Sequence, residues 1–486
     1  MKDSFFPRHR PSAALALVAA ALFLAAGCAD LGNYNSQMRG PRTAFARGQY
    51  DHARNLLQSG QDEGRLNPWL ELGVIEHTAG AFKDSSNDLQ RAGRIIRDNE
   101  NKAVISASKT AGQAATLVVN ERAQPYYGES FEKILIHTLD AVNYLMQNDW
   151  EGARVEVRRA YDRQRELAKQ HEDELAEAKK TPAGGVDLGK IMQSYESQNA
   201  DQQPVASRVA NAYQNAFTNY ISAVVYNAQG EANDAYIELK AADQLRPGAE
   251  CMGPIMIETA AAARFQEDLA ALERKFGLRA QDVLENAKNN PAEVIVLFEN
   301  GWAPVKGQIT IPIPTPHAVG TLALPKYELQ GGAAQALRIS AGAAQARTAM
   351  LGDVEAQAVR ALRDRMAAYV IKGAIRVGGR LILENAAYEK TKKEKGADAA
   401  NLLAFASSAL NVTIEQADLR AWTLLPKDMQ VARLRLPEGK TTFNMALEGG
   451  DVYGGCNVTM NLRRDRPNVI LVRSTGGVMI AYTNEK

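Results

Sequence analysis

Four times in the first half of the chain, a turn residue is followed at the same offsets by small residues set among large ones. Gly48, Tyr50, Ala53 and Leu57 form one copy, and Gly80, Phe82, Ser85, Leu89 and Ala92 a second. Asn148, Trp150, Ala153, Val157 and Ala160 form a third, and Gly230, Ala232, Ala235, Leu239 and Ala242 a fourth. Offsets of three and four place residues on one helix face. Each copy therefore spells a helix that starts at a turn and buries one stripe. A matching helix precedes the later turns: Trp69, Leu72 and Gly73 before Gly80, Ala141 and Tyr144 before Asn148, Ala223 and Tyr226 before Gly230. The small residues let two antiparallel helices approach, and the large ones fill the space between pairs. Pro247 closes the fourth copy.

The turns are 32 residues apart from Gly48 to Gly80, 68 from Gly80 to Asn148, and 82 from Asn148 to Gly230. A tetratricopeptide unit repeats about every 34 residues. The first interval is near one unit, the second equals two, and the third needs an insertion. The polar stretch from Gln164 to Gln203 supplies it, reading as a charged helix extension and then a loop at Pro182-Ala183-Gly184-Gly185. Residues 41–290 are thus expected to form a tetratricopeptide-like helical domain. Within it, Ala115 to Val119 reads as a short strand or a helix end. Pro125 to Glu129 reads as a turn into an apolar helix from Phe131 to Met146, with Ser130 placed to cap it.

Beyond Pro291 the period changes from helical to alternating. Ala292 to Phe298 reads as a buried strand, and Ile309, Ile311 and Ile313 alternate as in a half-buried one. Ala336 to Ser340 reads as a returning strand, followed by a long helix from Asp353 to Lys390 and a shorter one from Ala397 to Leu410. Five short strands follow, at Gln430–Leu436, Thr441–Leu447, Asn457–Leu462, Val469–Arg473 and Val478–Tyr482. The expected class is α+β: helical repeats first, then residues 291–486 as a mixed domain with a long helix and a small antiparallel sheet or sandwich.

The N-terminus carries a different signal. Lys2, Arg8 and Arg10 precede an apolar run from Ala13 to Ala26 that ends in Leu24-Ala25-Ala26-Gly27-Cys28. A short apolar run behind basic residues reads as an export signal. Small residues directly before a cysteine resemble the lipobox of bacterial lipoproteins, whose cysteine is acylated. Residues 1–27 are read as signal peptide and 28–40 as a tether from lipidated Cys28. Ala29, where inner-membrane retention favours Asp, points to the outer membrane with the body in the periplasm.

Two further runs carry a second resemblance. They are Tyr126-Tyr127-Gly128-Glu129-Ser130-Phe131-Glu132-Lys133-Ile134-Leu135-Ile136 with Asn143-Tyr144-Leu145, and Glu415-Gln416-Ala417-Asp418-Leu419-Arg420-Ala421-Trp422 with Leu425-Pro426, Val431 to Leu434 and Leu436 to Gly439. They are similar to the signatures of a poorly characterised group of proteobacterial lipoproteins with tetratricopeptide-like repeats and a β-rich C-terminal region. The resemblance spans nearly the whole mature chain. It implies a role in envelope assembly, because genes of that group lie near those of lipoproteins that activate peptidoglycan synthases.

Catalytic signatures do not emerge from the letters. His171-Glu172-Asp173-Glu174-Leu175 begins like a zinc-protease helix but has Leu175 at the second ligand position, and Gly184 to Ile191 imitates a phosphate loop with Ile191 in place of the hydroxyl residue. No cofactor or metal is expected, and the net charge of +1 argues against nucleic acid as a partner. Tyr126, Tyr127, Glu129 and Glu132 form the best polar constellation: either a binding edge for a peptide amine or sugar, or a turn packed between repeats. Trp302 and Trp422 pose a similar choice between interdomain packing and a ligand platform. Cys251 and Cys456 are either a disulfide tying the two regions together or two separate thiols. The leading expectation is a non-enzymatic scaffold in which stacked helix pairs offer a concave surface to an envelope protein. The alternatives are an activator of peptidoglycan synthesis or a peptidoglycan-acting enzyme, and a structural subunit of a trans-envelope or surface assembly. Oligomeric state stays open.

Overall fold

The computed structural model describes residues 33–58, 64–109, 124–178, 187–314, 319–450 and 452–485. Cys28 and the export signal lie outside the described residues, as do Ala115 to Val119 and the loop at Pro182.

The fold is mixed α+β, with helices first. Consecutive helices pack as pairs: α1 (Tyr34–Ala46) with α2 (Tyr50–Gln58), α3 (Leu66–Thr78) with α4 (Phe82–Lys109), and α5 (Ser130–Met146) with α6 (Trp150–Ala178). After α7 (Leu188–Gln198) and α8 (Gln202–Ala206), α9 (Ala216–Ala228) packs with α10 (Ala232–Leu245), and α11 (Met252–Ala262) with α12 (Gln266–Phe276). α13 (Ala280–Asn289) closes the series. Helix begins at Tyr34, so the tether expected to run to residue 40 is already helical there.

One hydrogen-bonded turn joins all five pairs. In it, a left-handed residue donates its N–H three residues back, and the next N–H reaches five residues back. Gly48, Gly80, Asn148, Gly230 and Arg264 hold the left-handed position, with φ between 57° and 79°. The five-residue bonds run from Gln49 to Ala44, Ala81 to Glu76, Asp149 to Tyr144, Glu231 to Tyr226 and Phe265 to Ala260, at 2.9 to 3.0 Å. This is the Schellman closure, and it satisfies carbonyls that a helix end leaves orphaned. The small residues of the sequence pattern sit five positions after the left-handed residue. Ala53, Ser85, Ala153 and Ala235 are all fully buried. Gly73 shows why: a Cβ there would stand 2.6 Å from Leu89. The fifth turn, at Arg264, was not expected from the sequence.

Among the described residues the strands form three sheets. Five strands run in the order β11 (Met479–Thr483), β10 (Asn468–Ser474), β1 (Ala292–Asn300), β7 (Asp428–Leu436), β6 (Ala349–Asp353). Four run in the order β5 (Ala344–Arg347), β4 (Ala336–Ala341), β8 (Gly439–Glu448), β9 (Gly455–Leu462), and β2 (Val305–Pro314) pairs with β3 (Val319–Glu328). The four-stranded sheet is antiparallel throughout, and the five-stranded sheet is mixed, because β1 and β10 pair in parallel, Val296 opposite Ile470. A parallel pair needs a long crossover, and the whole C-terminal region supplies it.

β1 explains the layering. Val294, Val296 and Phe298 face the four-stranded sheet and share a core with Ile339, Phe443 and Met445. Ile295 and Leu297, on the other face, join the core of the helices. A strand buried on both sides reads as an uninterrupted apolar run. The result is helices, then the five-stranded sheet, then the four-stranded sheet. One core runs from Met38 and Leu70 through Phe217 to Val431 and Leu471, so helical and strand-rich regions are welded together. α14 (Val354–Lys395) and α15 (Ala397–Ile414) complete the chain, with β3 lying along α14.

Cys251 and Cys456 are free thiols, so the disulfide reading is corrected. Cys251 packs in the core of the helices. Cys456 is on β9, against the other core. The five-stranded sheet separates these cores, whereas a disulfide needs Cα atoms within about 7 Å.

Candidate functional site

The polar constellation singled out in the sequence lies at the start of α5. Gly128 has a φ of 75°, which turns the chain so that Glu129 becomes the N-cap. The cap is therefore Glu129 and not Ser130, which is the first helical residue. Glu132, one turn in, accepts the Glu129 backbone N–H at 2.9 Å and the Tyr126 hydroxyl at 2.6 Å through one oxygen. Its other oxygen accepts the backbone N–H of Trp422 at 2.7 Å. Glu129 takes the Lys306 ammonium of β2 at 2.5 Å and the Arg365 guanidinium of α14 at 3.3 Å. Tyr126, Glu129 and Glu132 are buried, and Tyr127 is half-buried. The residues are brought together, but as a joint between α5, β2, α14 and the segment before β7.

The two carboxylates are driven apart. Burial alone would raise Glu129, but Lys306 and Arg365 outweigh it and hold the group down at about 2. Glu132 is pushed up to about 7, by burial first and then by the charge of Glu129. Such a split marks acid and base roles in open sites. Here every oxygen of the pair already has a donor from the chain itself.

Glu71 of α3 makes a second clamp on the same segment. It accepts the N–H of Thr423 at 2.7 Å, the Thr423 hydroxyl at 2.8 Å, the N–H of Leu424 at 2.9 Å and the Tyr34 hydroxyl at 2.8 Å. The segment belongs to no sheet at this point, so carboxylates satisfy amides that a strand partner would otherwise take. Burial raises the Glu71 carboxyl against the lowering effect of those donors. Trp422 is buried, and the Trp302 indole N–H donates to the Thr475 carbonyl at 2.9 Å. Both tryptophans thus pack within the molecule. Ala421 to Leu425 and strands β7 and β10 pack against the helices: Thr423 and Leu424 bond Glu71 of α3, β10 touches α5, and β7 touches α9.

A third cluster joins helices to sheet. His77 of α3 lies 2.6 Å from Asn143 Oδ1 and 3.0 Å from Glu299 Oε1, and Asn143 donates to Ser85 Oγ at 2.8 Å. Both ring nitrogens face acceptors, an arrangement that suits the imidazolium form. Burial works against that charge, but Glu299 overcomes it and raises His77. The set resembles a nucleophile, base and acid, yet Asn143 stands between Ser85 and His77. Ser85 Oγ donates to the Gly73 carbonyl at 2.7 Å. The arrangement fastens α3, α4, α5 and β1 together. No sequence motif announced it, although His77 and Glu71 stand out as polar residues in an apolar helix.

An open groove of ≈ 790 Å³ runs across the first two turns, lined by Gly48, Gln49, Tyr50, Asp51, His52, Arg54, Ala79 and Ala81. Arg54 is set by Asp51 at 2.7 Å and by Glu76. β11 flanks these turns, with Val478 against Gly48 and Tyr482 against Gly80.

No family model matches the sequence, and no curated protein matches it. Among solved structures, the crystal structure of MamA protein is similar at 11% identity over 52% of this chain and 93% of that one, with a TM-score of 0.29. An overlap that low carries no argument about fold or function.

Proposed function

We propose that the chain is a lipid-anchored interaction scaffold of the bacterial cell envelope, held at the outer membrane by acylated Cys28 with its body in the periplasm. In this reading the helical pairs are tetratricopeptide-like repeats, and they carry the chain's own sheets in place of a foreign peptide. The observation that supports it is the recurrence of one Schellman turn at five places, with a buried small residue at the same offset after four of them. A stack of such units is a frame more than a reaction vessel. A protein partner docks on the turn side, where the groove around Tyr50, His52 and Arg54 stays open.

Photocrosslinking the lipidated full chain in native envelopes tests this. A photoreactive residue at Gln49 or His52 should give one reproducible protein adduct that the same probe at Tyr453 does not give. Palmitate incorporation should disappear in Cys28→Ser. Absence of any adduct from the groove positions overturns the docking assignment, and turnover of muropeptides by the purified chain replaces scaffold with enzyme.

A further inference from the structure

α14 is 42 residues long, about 63 Å at 1.5 Å per residue. Its first half is part of the core. Met366 and Val370 are buried, Gly373 lies against Leu322, and Val377 and Leu381 lie against Gly320 of β3. After Leu381 only Tyr388 is buried, where it bonds Asn401 of α15 at 3.0 Å. The outer part of α14 and α15 thus form a hairpin, and α15 also packs against β3.

This hairpin is apolar where a solvated one would be charged. Ile382 is 69% exposed, Leu383 72% and Phe405 61%, and Leu402 and Leu403 are exposed as well. Residues 399–414 contain no charged side chain. The two helices meet through Asn385, Tyr388, Leu403, Ala404 and Ser407. Leu383, Leu402 and Phe405 fall about 100° or more around their helices from that contact. A helix apolar on both its inner and outer faces calls for apolar cover on both. Basic residues bracket the exposed apolar turns. Lys372 precedes Ile382, and the exposed Lys390, Lys392, Lys393 and Lys395 follow Leu383, while Arg380 pairs with Glu415 at 3.5 Å. Glu384, Glu389, Glu394 and Asp398 stand among these lysines, so residues 382–408 carry four charges of each sign, with the four lysines clustered at the hairpin's tip. Long basic side chains flanking an apolar band can hold their charges at headgroups while the band is submerged.

We infer that the α14–α15 hairpin is a membrane-contact element that lies in the surface of an anionic bilayer. No helix among the described residues is long and apolar enough to cross a membrane, so the contact is in-plane and shallow. The inference rests in part on the lipid anchor proposed above. Cys28 is five residues from Asn33, a tether of at most about 18 Å. The start of α1 is pinned to the same joint as α14, because Asn35 donates to the Lys306 carbonyl at 2.7 Å and Glu129 pairs with both Lys306 and Arg365. An anchored body is therefore close to the bilayer, and the hairpin extends about 45 Å from Arg365 to Lys395.

The test uses the full chain with an environment-sensitive fluorophore on Leu402→Cys or Phe405→Cys, and on Tyr453→Cys as the control. The probes are vesicles of phosphatidylglycerol with phosphatidylethanolamine, and vesicles of phosphatidylcholine alone. The expected result is a blue shift at positions 402 and 405 and none at 453. The half-saturating lipid concentration should be about tenfold lower on the anionic vesicles, and replacing the four lysines by serine should abolish that preference. A fluorophore that stays in water on every vesicle overturns the inference. So does a blue shift that needs no vesicles and grows with protein concentration, which identifies a second copy as the cover. Palmitate incorporation is scored separately. An acylated chain with a wet hairpin sinks this inference alone, and a submerged hairpin on an unacylated chain sinks only the anchor.

Discussion

Glu132 and Trp422, 290 positions apart in the chain, meet directly: a carboxylate oxygen of the first accepts the backbone N–H of the second at 2.7 Å. Glu132 belongs to the first of the two motif runs and Trp422 to the last. Neither run forms an open site, because its polar side chains are taken up inside the molecule: Glu132 by the Trp422 backbone, Glu129 by Lys306 and Arg365, and Arg420 by Asp418 and the Gln124 carbonyl.

Removing these acceptors should therefore cost more than an ordinary hydrogen bond. Glu71→Ala strands the amides of Thr423 and Leu424 in a dry interior, and a buried donor left alone costs about 1–3 kcal/mol. A loss of about 3 kcal/mol or more is expected in urea unfolding. Limited proteolysis should open first between Ala417 and Lys427. Unchanged cleavage there would mean that the sheets, and not Glu71, hold the segment.

The pH dependence has a defined sign. Glu132, Asp140, Glu238 and Asp428 are each raised to about 7, with burial as the leading cause. Between the ordinary carboxylate range and pH 7, the folded chain holds protons that the unfolded chain has released. Stability must then fall as pH rises through that interval. His77 acts in the same direction, since its raised value gives a contribution that is full below its ordinary 6.5 and lost above the folded value. Glu299, held down behind burial by His77, withdraws its share only under strong acid. Urea unfolding should show greater stability at pH 5 than at pH 8, and Glu132→Gln should flatten the slope by about 1–3 kcal/mol. A stability that rises from pH 5 to 8 contradicts the assignment.

Much of this architecture was legible locally, and the part that was not is long-range. Four turns were readable because Gly48, Gly80, Asn148 and Gly230 are residue types that tolerate φ > 0. The fifth was hidden because Arg264 occupies the same position. It lies 34 residues after Gly230, a spacing that would have revealed it. The tail strands were placed to within two residues because each alternates and ends at a turn. The partner of β10 was not readable, since nothing in Asn468–Ser474 names Ala292–Asn300 as its neighbour. β3 was missed because Gly320 and Pro325 weaken its strand signal. The packing of Thr423 and Leu424 on α3 was missed for the same reason as the joint. Glu71 inside Trp69-Leu70-Glu71-Leu72 shows that a buried charge needs a partner, but not that the partner is Thr423.

The turns yield a paired prediction. Arg264 is held at a φ of 62°, a conformation costing an L residue about 1 kcal/mol. Arg264→Gly should therefore stabilise the chain by roughly 0.5–1 kcal/mol in thermal unfolding. Gly80→Ala should do the opposite and by more. It adds the strain at a φ of 79° to a Cβ that would sit 2.7 Å from the Tyr482 ring, so β11 must shift. Gly230→Ala, with open space around it, isolates the backbone part of that cost.

The thiols give the last prediction. Burial pushes Cys251 up to about 12 and raises Cys456 as well, so neither is a ready thiolate at neutral pH. They differ in access, because Cys251 is closed in the helical core and Cys456 is half-buried on β9. Alkylation of the folded chain at pH 8 should modify Cys456 slowly, and Cys251 only at the rate of unfolding. The mass of the oxidised, unreduced chain should show both Cys251 and Cys456 alkylatable after denaturation. A chain that takes up no label until reductant is added would mean the two residues are joined. The helical core and the outer sheet core could not then be separated by the five-stranded sheet as they are in this fold.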